Sequence, residues 1–341
     1  MINRILIVGH GSIGKRHLNI VRETLPGADI RVLRHQPCDA TPEFADDCFN
    51  RLGDACAFAP QVAAIANPAP FHLEAAGALA AAGCHLLIEK PLSHTTEGVR
   101  KLLQLVRRQG LILQVGYNLR FLPSLEEFRN RIRAGAIGRV LSIRCEIGQY
   151  LPSWRPGTDY RQGVSARQDL GGGVLLELSH ELDYLRWIFG EVAWVSAWMG
   201  RRSALEIDVE DTAHLTLGFG PDDHSPVASL SLDFIRHDTT RQCTAIGEWG
   251  SLRWNGLTGA VEEWAAGNVT WQPVFHQVHQ RDDSYRAQWH HFLDCVQTSQ
   301  APRVGGEDGM AVLKIIEAAW QSAAAEGARV AITSMEGISQ A

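Results

Sequence analysis

Residues Gly9, Gly11 and Gly14 form a Gly-x-Gly-x-x-Gly run directly behind the apolar stretch Ile2 to Val8, and Leu18, Val21 and Leu25 recur at helical spacing beyond it. The pattern reads as a buried strand, a tight turn and a helix that Pro26-Gly27 stops. A second apolar run, Ile30 to Leu33, completes a strand-helix-strand unit of the length that a parallel crossover needs. The alternation continues: strand Val62 to Ala66, helix His72 to Ala82 closed by Gly83, and strand Leu86 to Ile88. A helix through Val99, Leu102, Leu103 and Val106 ends at Gly110, before strand Leu111 to Val115. Repeated units of this kind fold as a parallel sheet with helices on both faces.

From about residue 138 the period changes to two. Leu141, Ile143, Cys145 and Ile147 alternate with polar residues, as do Ala213, Leu215, Leu217 and Phe219, and then Leu230, Leu232 and Phe234. The expected fold is therefore α/β, with a Rossmann-type parallel sheet in residues 1–122. An α+β domain with a large, open, mostly antiparallel sheet is expected in 123–341. Helices at Leu178 to Phe189, Trp289 to Val296 and Leu313 to Trp320 should cover one face of the second sheet. The other face is a candidate interface between subunits.

Composition excludes several classes. A formal charge of -6 gives no basic footprint for nucleic acid, and no apolar run approaches the roughly 18 residues of a membrane span. No signal segment is read at the N-terminus, so the chain is expected in the cytoplasm. The seven cysteines are scattered and never form a Cys-x-x-Cys pair, so they are read as reduced, mostly core thiols without a zinc site.

At the first turn, bare backbone lets a phosphate approach the N–H groups and positive end of the helix, so the run reads as a dinucleotide fingerprint. The alternative is a plain glycine turn. A site specific for NAD usually ends its second strand with an acid that bonds the ribose 2′-hydroxyl, but here Leu33 is followed by Arg34-His35. A cation there suits a 2′-phosphate and favours NADP over NAD; the other reading is a solvent-exposed arginine with NAD bound less selectively.

Lys90, in Glu89-Lys90-Pro91, closes the strand Leu86 to Ile88 and so lies where open α/β sheets bind ligands. The chain has four lysines against 28 arginines, which makes a lysine at this place less casual. A partly buried ammonium can exchange a proton with a substrate hydroxyl; the plainer reading pairs it with Glu89. Gly171-Gly172-Gly173 opens a helix expected to run from Val174 to Phe189, with Glu177, His180 and Tyr184 on one face and Asp183 beside them. His180 is a candidate general base whose tautomer a carboxylate would fix, or else a hydrogen-bonded structural histidine. No metal is expected, because Glu177-x-x-His180 and His276-x-x-His279 both lack companion ligands. Trp154, Arg155, Tyr160 and Arg167 lie in a long segment dense in aromatics and arginine. That composition suits a sugar ring and its anionic groups, or the packing of one domain on another.

Taken together, Gly9-His-Gly-Ser-Ile-Gly14, Ala66-Asn-Pro-Ala-Pro-Phe-His72, Glu89-Lys-Pro91, Val115-Gly-Tyr-Asn-Leu-Arg-Phe121 and the Gly171-Gly-Gly173 helix with His180 and Asp183 resemble the glucose-fructose oxidoreductase, inositol dehydrogenase and rhizopine-catabolism (Gfo/Idh/MocA) family. The resemblance implies hydride transfer between a nicotinamide and a hydroxyl-bearing carbon of a sugar, cyclitol or nucleotide sugar. It implies Lys90 and His180 as the proton-handling pair, joined by Glu177 and Asp183, with Lys90, Arg120 and His180 toward the substrate. The cofactor would be bordered by Gly9, Gly11, Ser12, Ile13, Gly14, Arg34, His35, Asn67, Pro68, His72, Glu89, Lys90 and Asn118. The Lys90-Pro91 bond would be cis, and the second sheet would join subunits as dimers or tetramers. One departure stands out: alignment on His180 puts Leu176 where the family carries aspartate, with Glu177 one place later. Two other outcomes remain open, a glycoside hydrolase that cycles a tightly held NAD and a non-catalytic NADP-binding sensor.

Overall fold

The computed structural model describes residues 2–36, 40–220 and 224–332. In chain order the first elements are β1 (Arg4–Val8), α1 (Ser12–Thr24), β2 (Asp29–Leu33), β3 (Asp47–Phe49), α2 (Leu52–Ala57), β4 (Val62–Ile65), α3 (His72–Ala81), β5 (His85–Ile88), α4 (Val99–Arg108) and β6 (Leu113–Val115). There follow α5 (Pro123–Arg133), β7 (Val140–Gly148), α6 (Val174–Glu177), α7 (His180–Phe189), β8 (Trp194–Gly200), β9 (Thr212–Gly218), β10 (Val227–Asp233) and β11 (Thr240–Gly247). The last are β12 (Gly250–Asn255), β13 (Ala260–Ala265), β14 (Gln272–His276), α8 (Asp283–Thr298), α9 (Gly306–Ala324) and β15 (Val330–Ala331).

Residues 1–118 and 282–313 form one compact unit. Its six strands are all parallel in the order β3-β2-β1-β4-β5-β6, so the expected Rossmann sheet is present, with its order reversing on either side of β1. The strands bury Ile5, Ile7, Ile30, Val32, Val62, Ala64 and Leu87 against Leu18, Ile20 and Val21 of α1. Trp289, Phe292 and Leu293 join this same core. The helix read at Trp289 to Val296 therefore covers the parallel sheet, not the second one. Period alone marks a buried face without saying which sheet it meets.

Residues 119–281 and 314–341 form the second unit. Its sheet has nine strands in the order β14-β13-β12-β11-β7-β10-β9-β8-β15, antiparallel throughout except for the parallel pair β10 and β7. The period-two reading holds from Ile143 to Ile147 of β7, where Ile143, Cys145 and Ile147 are buried and Arg144 is exposed, but Leu141 near the strand's start is exposed.

Two expectations need correction. The helix read from Val174 to Phe189 is two helices, interrupted at Leu178 and Ser179, where Leu178 takes φ -102° and ψ 27°. Helical spacing across that break does not apply, and Tyr184 faces the core: it is fully buried, with its hydroxyl 2.9 Å from Cys145 Sγ. The cysteines also differ from the reading of seven free thiols. Cys84, Cys145, Cys243 and Cys295 are buried and free, but Cys48, on the edge strand β3, is disulfide-bonded; Cys38 lies outside the described residues. Among the described residues no helix is long and apolar enough to cross a membrane, and no cluster of metal-ligating side chains is found.

Candidate active site

In the first unit the candidate residues collect along one edge, because parallel strands all end on the same side. Gly9 follows β1 with φ +92°, and a Cβ there would come within 2.7 Å of Asn67 N. A Cβ on Gly14 would lie 2.1 Å from Gly9 O, so the turn closes only with glycine at both places. Gly11 caps the 13-residue α1 in an extended conformation, and nothing lies within 4 Å of its missing side chain. This is an open, backbone-lined helix N-terminus of the kind that takes a pyrophosphate, with Ser12 and Ile13 as the first helical residues.

Arg34 stands directly after β2, its N–H bonded to Phe49 O (2.9 Å), and His35 beside it is exposed. His10, inside the glycine turn, has its pKa lowered by burial first and then by the charges of Lys15 and Arg34. Cationic groups therefore gather where β1 and β2 end.

After β4, Asn67 and Pro68 lead into a short turn and α3. His72 at the start of α3 is buried, with Nε2 2.7 Å from Asn67 O and Nδ1 3.0 Å from Pro91 O. It ties the loop after β4 to the loop after β5, and burial lowers its pKa. The Lys90-Pro91 bond is cis. Glu89 is buried, with Oε1 2.8 Å from His17 Nε2, while Oε2 accepts the N–H of Lys90 at 3.1 Å. Burial pushes the Glu89 carboxyl up, but the hydrogen bond and charge of His17, followed by Lys90, outweigh it and hold the group below the usual carboxylate range. Lys90 itself is half-buried. Asn118 is buried and donates to Ser284 Oγ at 2.7 Å.

In the second unit His180 is the first residue of α7 and is 9% exposed. Glu177, the last residue of α6, is half-buried and accepts from Ser165 Oγ at 2.7 Å. The interruption between the helices thus gives the two side chains separate supports. Asp183 and Arg120 are brought together in a buried bidentate pair, Nε to Oδ2 at 2.9 Å and Nη2 to Oδ1 at 2.6 Å. Both carboxylate oxygens are engaged, so Asp183 anchors α7 to the chain at Arg120.

The segment from 150 to 170 is a series of short 3-10 turns. Trp154 spends its indole N–H on Gln149 O (3.0 Å) and packs edge-on against Phe234, and Tyr160 Oη accepts from Glu206 N (3.2 Å). Arg167 forms a bidentate pair with Asp169 at 2.9 and 2.6 Å, and Arg155 is exposed. These contacts hold the segment to itself and to its neighbours. Arg161, Arg167, Asp169 and Glu206 line an open depression of about 630 Å³ that includes neither His180 nor Glu177.

Two buried residues of this machinery escape a reading by motif, His17 and Trp289. A histidine between Gly14 and the apolar Leu18 and Val21 of α1 is a sequence signal for a buried partner. The partner's identity is not local information.

A parallel six-stranded sheet in Rossmann order, a glycine turn at a helix N-terminus and a half-buried lysine at the end of β5 define a pyridine-nucleotide oxidoreductase. Comparison with known proteins gives the particular family. Residues 3–117 match the oxidoreductase family's NAD-binding Rossmann fold and residues 129–332 match its C-terminal alpha/beta domain, so the chain belongs to the Gfo/Idh/MocA oxidoreductase family. It is 27% identical over 337 residues to the oxidoreductase YrbE of Bacillus subtilis (strain 168), covering 93% of each chain. It is 24% identical over 346 residues to an inositol 2-dehydrogenase of Streptomyces avermitilis, covering 92% of this chain and 90% of that one. Its fold matches the solved structure of levoglucosan dehydrogenase in complex with NADH with a TM-score of 0.86, at 21% identity over 98% of this chain and 100% of that one.

Proposed function

We propose that this NAD(P)-dependent oxidoreductase moves a hydride between the nicotinamide and a hydroxyl-bearing carbon of a sugar, cyclitol or nucleotide sugar, with NADP(H) as the preferred cofactor. The observation that carries this reading is Lys90, half-buried at the carboxyl end of β5 and held through its backbone N–H by the buried Glu89. A pure nucleotide binder has no use for a proton-exchanging group at that edge. The names of the relatives, an inositol dehydrogenase and a levoglucosan dehydrogenase, support a polyhydroxylated ring as substrate.

The chain's own residues fit the cofactor. The N–H groups from Gly11 to Gly14 receive the pyrophosphate, Arg34 and Lys15 supply positive charge for a 2′-phosphate, and His10 beside them can take up a proton when the phosphate binds. Asn67, Pro68, His72, Glu89 and Asn118 shape the nicotinamide end. When bound, the nicotinamide supplies the hydride donor or acceptor. Lys90 and His180 orient the substrate hydroxyl and carry its proton, Glu177 is a further carboxylate offered to the same chemistry, and Asp183 acts as an anchor of α7. The outward face of the nine-stranded sheet, where Trp198 is 39% exposed, is the surface on which a second copy is proposed to pair in a dimer or tetramer.

The test is titration with NADPH and NADH by nicotinamide fluorescence, followed by a screen of polyols and nucleotide sugars for change in NAD(P)H absorbance. Lys90→Ala and His180→Ala should each lower turnover by about 10²- to 10⁴-fold with cofactor binding retained. Near-normal turnover in both variants overturns the assignment. Tightly retained NAD with sugar release and no net absorbance change moves the reading to a hydrolase.

A further inference from the structure

We propose that Trp289, His17 and Glu89 form a positioning relay that registers the phosphate-loop helix α1 against Lys90. Three residues far apart in sequence meet in one buried line. Trp289 Nε1 donates to His17 Nδ1 at 2.9 Å, and His17 Nε2 lies 2.8 Å from Glu89 Oε1. The second oxygen of Glu89 accepts the backbone N–H of Lys90 at 3.1 Å. Exposure along this line is 0% at His17, 0% at Trp289 and 6% at Glu89.

The polarity of the line follows from the donor inventory. An indole nitrogen only donates, so His17 Nδ1 accepts and the ring proton sits on Nε2, where it points at the carboxylate. Trp289 thereby selects the tautomer that Glu89 requires. The rings of Trp289 and Tyr285 meet the imidazole edge-on at 5.9 Å and hold its plane. Gly116 closes the remaining side, since a Cβ there would approach the Glu89 carboxyl to 3.0 Å.

His17 lies one helical turn after Gly14, so a single imidazole joins the helix that receives the pyrophosphate to the strand end that presents Lys90. The charged or titratable groups that face Glu89 are His17, Lys90 and His72. Without His17, Glu89 Oε1 loses its buried partner and the carboxylate keeps only the backbone N–H of Lys90. The acceptor that fixes the Lys90 backbone is then itself loosely held, and the lysine gains local freedom and access to reagent.

This inference rests on the role proposed for Lys90, so its test uses a readout independent of substrate. The full chain is treated with trinitrobenzenesulfonate, and the labelling rates of Lys90 and the exposed Lys101 are compared by peptide mass spectrometry; with four lysines the peptides are unambiguous. His17→Ala should raise the Lys90 to Lys101 rate ratio by about tenfold as the freed lysine becomes more accessible. Trp289→Phe, which removes only the N–H, should move it the same way by a smaller factor. His17→Gln should restore it to within about twofold, because its amide offers an acceptor to Trp289 and a donor to Glu89. Thermal unfolding and NADPH titration check that each variant folds and binds, and Trp289→Phe carries the test should His17→Ala fail to fold. An unchanged ratio in the variants that fold, or a His17→Gln variant no better than His17→Ala, overturns the relay. A ratio that responds as expected while Lys90→Ala keeps its turnover leaves the relay standing and removes Lys90 from catalysis.

Discussion

Replacing Asp183 by alanine should destabilise the second unit far more than it alters any single contact. Asp183 is 1% exposed and Arg120 3%, and the two share a fork of hydrogen bonds at 2.9 and 2.6 Å. Removing one partner leaves an uncompensated buried guanidinium, which costs about 3–5 kcal/mol. A unit of this size loses about 2–4 °C in Tm per kcal/mol, so the midpoint should fall by roughly 6–20 °C. The assay is thermal unfolding followed by circular dichroism, with urea unfolding as a second probe. The double variant Arg120→Met with Asp183→Leu removes both charges and should regain most of the loss, since an apolar pair avoids the desolvation of two ions. A loss under about 1 kcal/mol in Asp183→Ala, or a double variant worse than the sum of the singles, would refute an anchoring pair. Turnover far below the loss of folded protein would return Asp183 to the chemistry.

Gly14→Ala places a Cβ 2.1 Å from Gly9 O, so the turn must open; NAD(P)H binding measured by fluorescence should weaken at least tenfold, and unchanged affinity would show that the turn does not hold the nucleotide. The NADPH preference should depend on pH. His10 is lowered by burial and by Lys15 and Arg34, so it is neutral in the free protein near pH 7, and an added phosphate favours its charged form. NADPH binding then takes up a proton, and the ratio of NADPH to NADH affinity should rise as pH falls from roughly 8 to 7, above the range in which the phosphate itself mainly titrates. A flat ratio in wild type, or the same slope in His10→Asn, speaks against a phosphate beside His10.

Much of the first unit was legible because its determinants are local. Gly9, Gly11 and Gly14 encode a backbone path that no other residue can take at two of the three positions, and buried parallel strands read as short apolar runs. The placement of Lys90 followed from one rule, that parallel strands end on a common edge. The site in the second unit was less legible. The interruption at Leu178 and Ser179 carries no glycine or proline to mark it, so the spacing predicts a continuous helix, whereas the break turns Tyr184 into the core. For Arg120 and Asp183 the motif gives no sign that each is the other's partner, 63 positions away; only the fold brings them together.

What the amino-acid sequence determined by itself was the kind of fold, the edge at which a nucleotide sits and the residue types available there for proton transfer, since periodicity and glycine stereochemistry act over a few residues. Tertiary structure alone decided which helix covers which sheet, that Trp289 belongs to the parallel-sheet core, and that His17 joins Trp289 to Glu89. Those outcomes depend on pairings across up to 272 positions in the chain, where a buried donor is satisfied by whichever acceptor the folded backbone brings within reach.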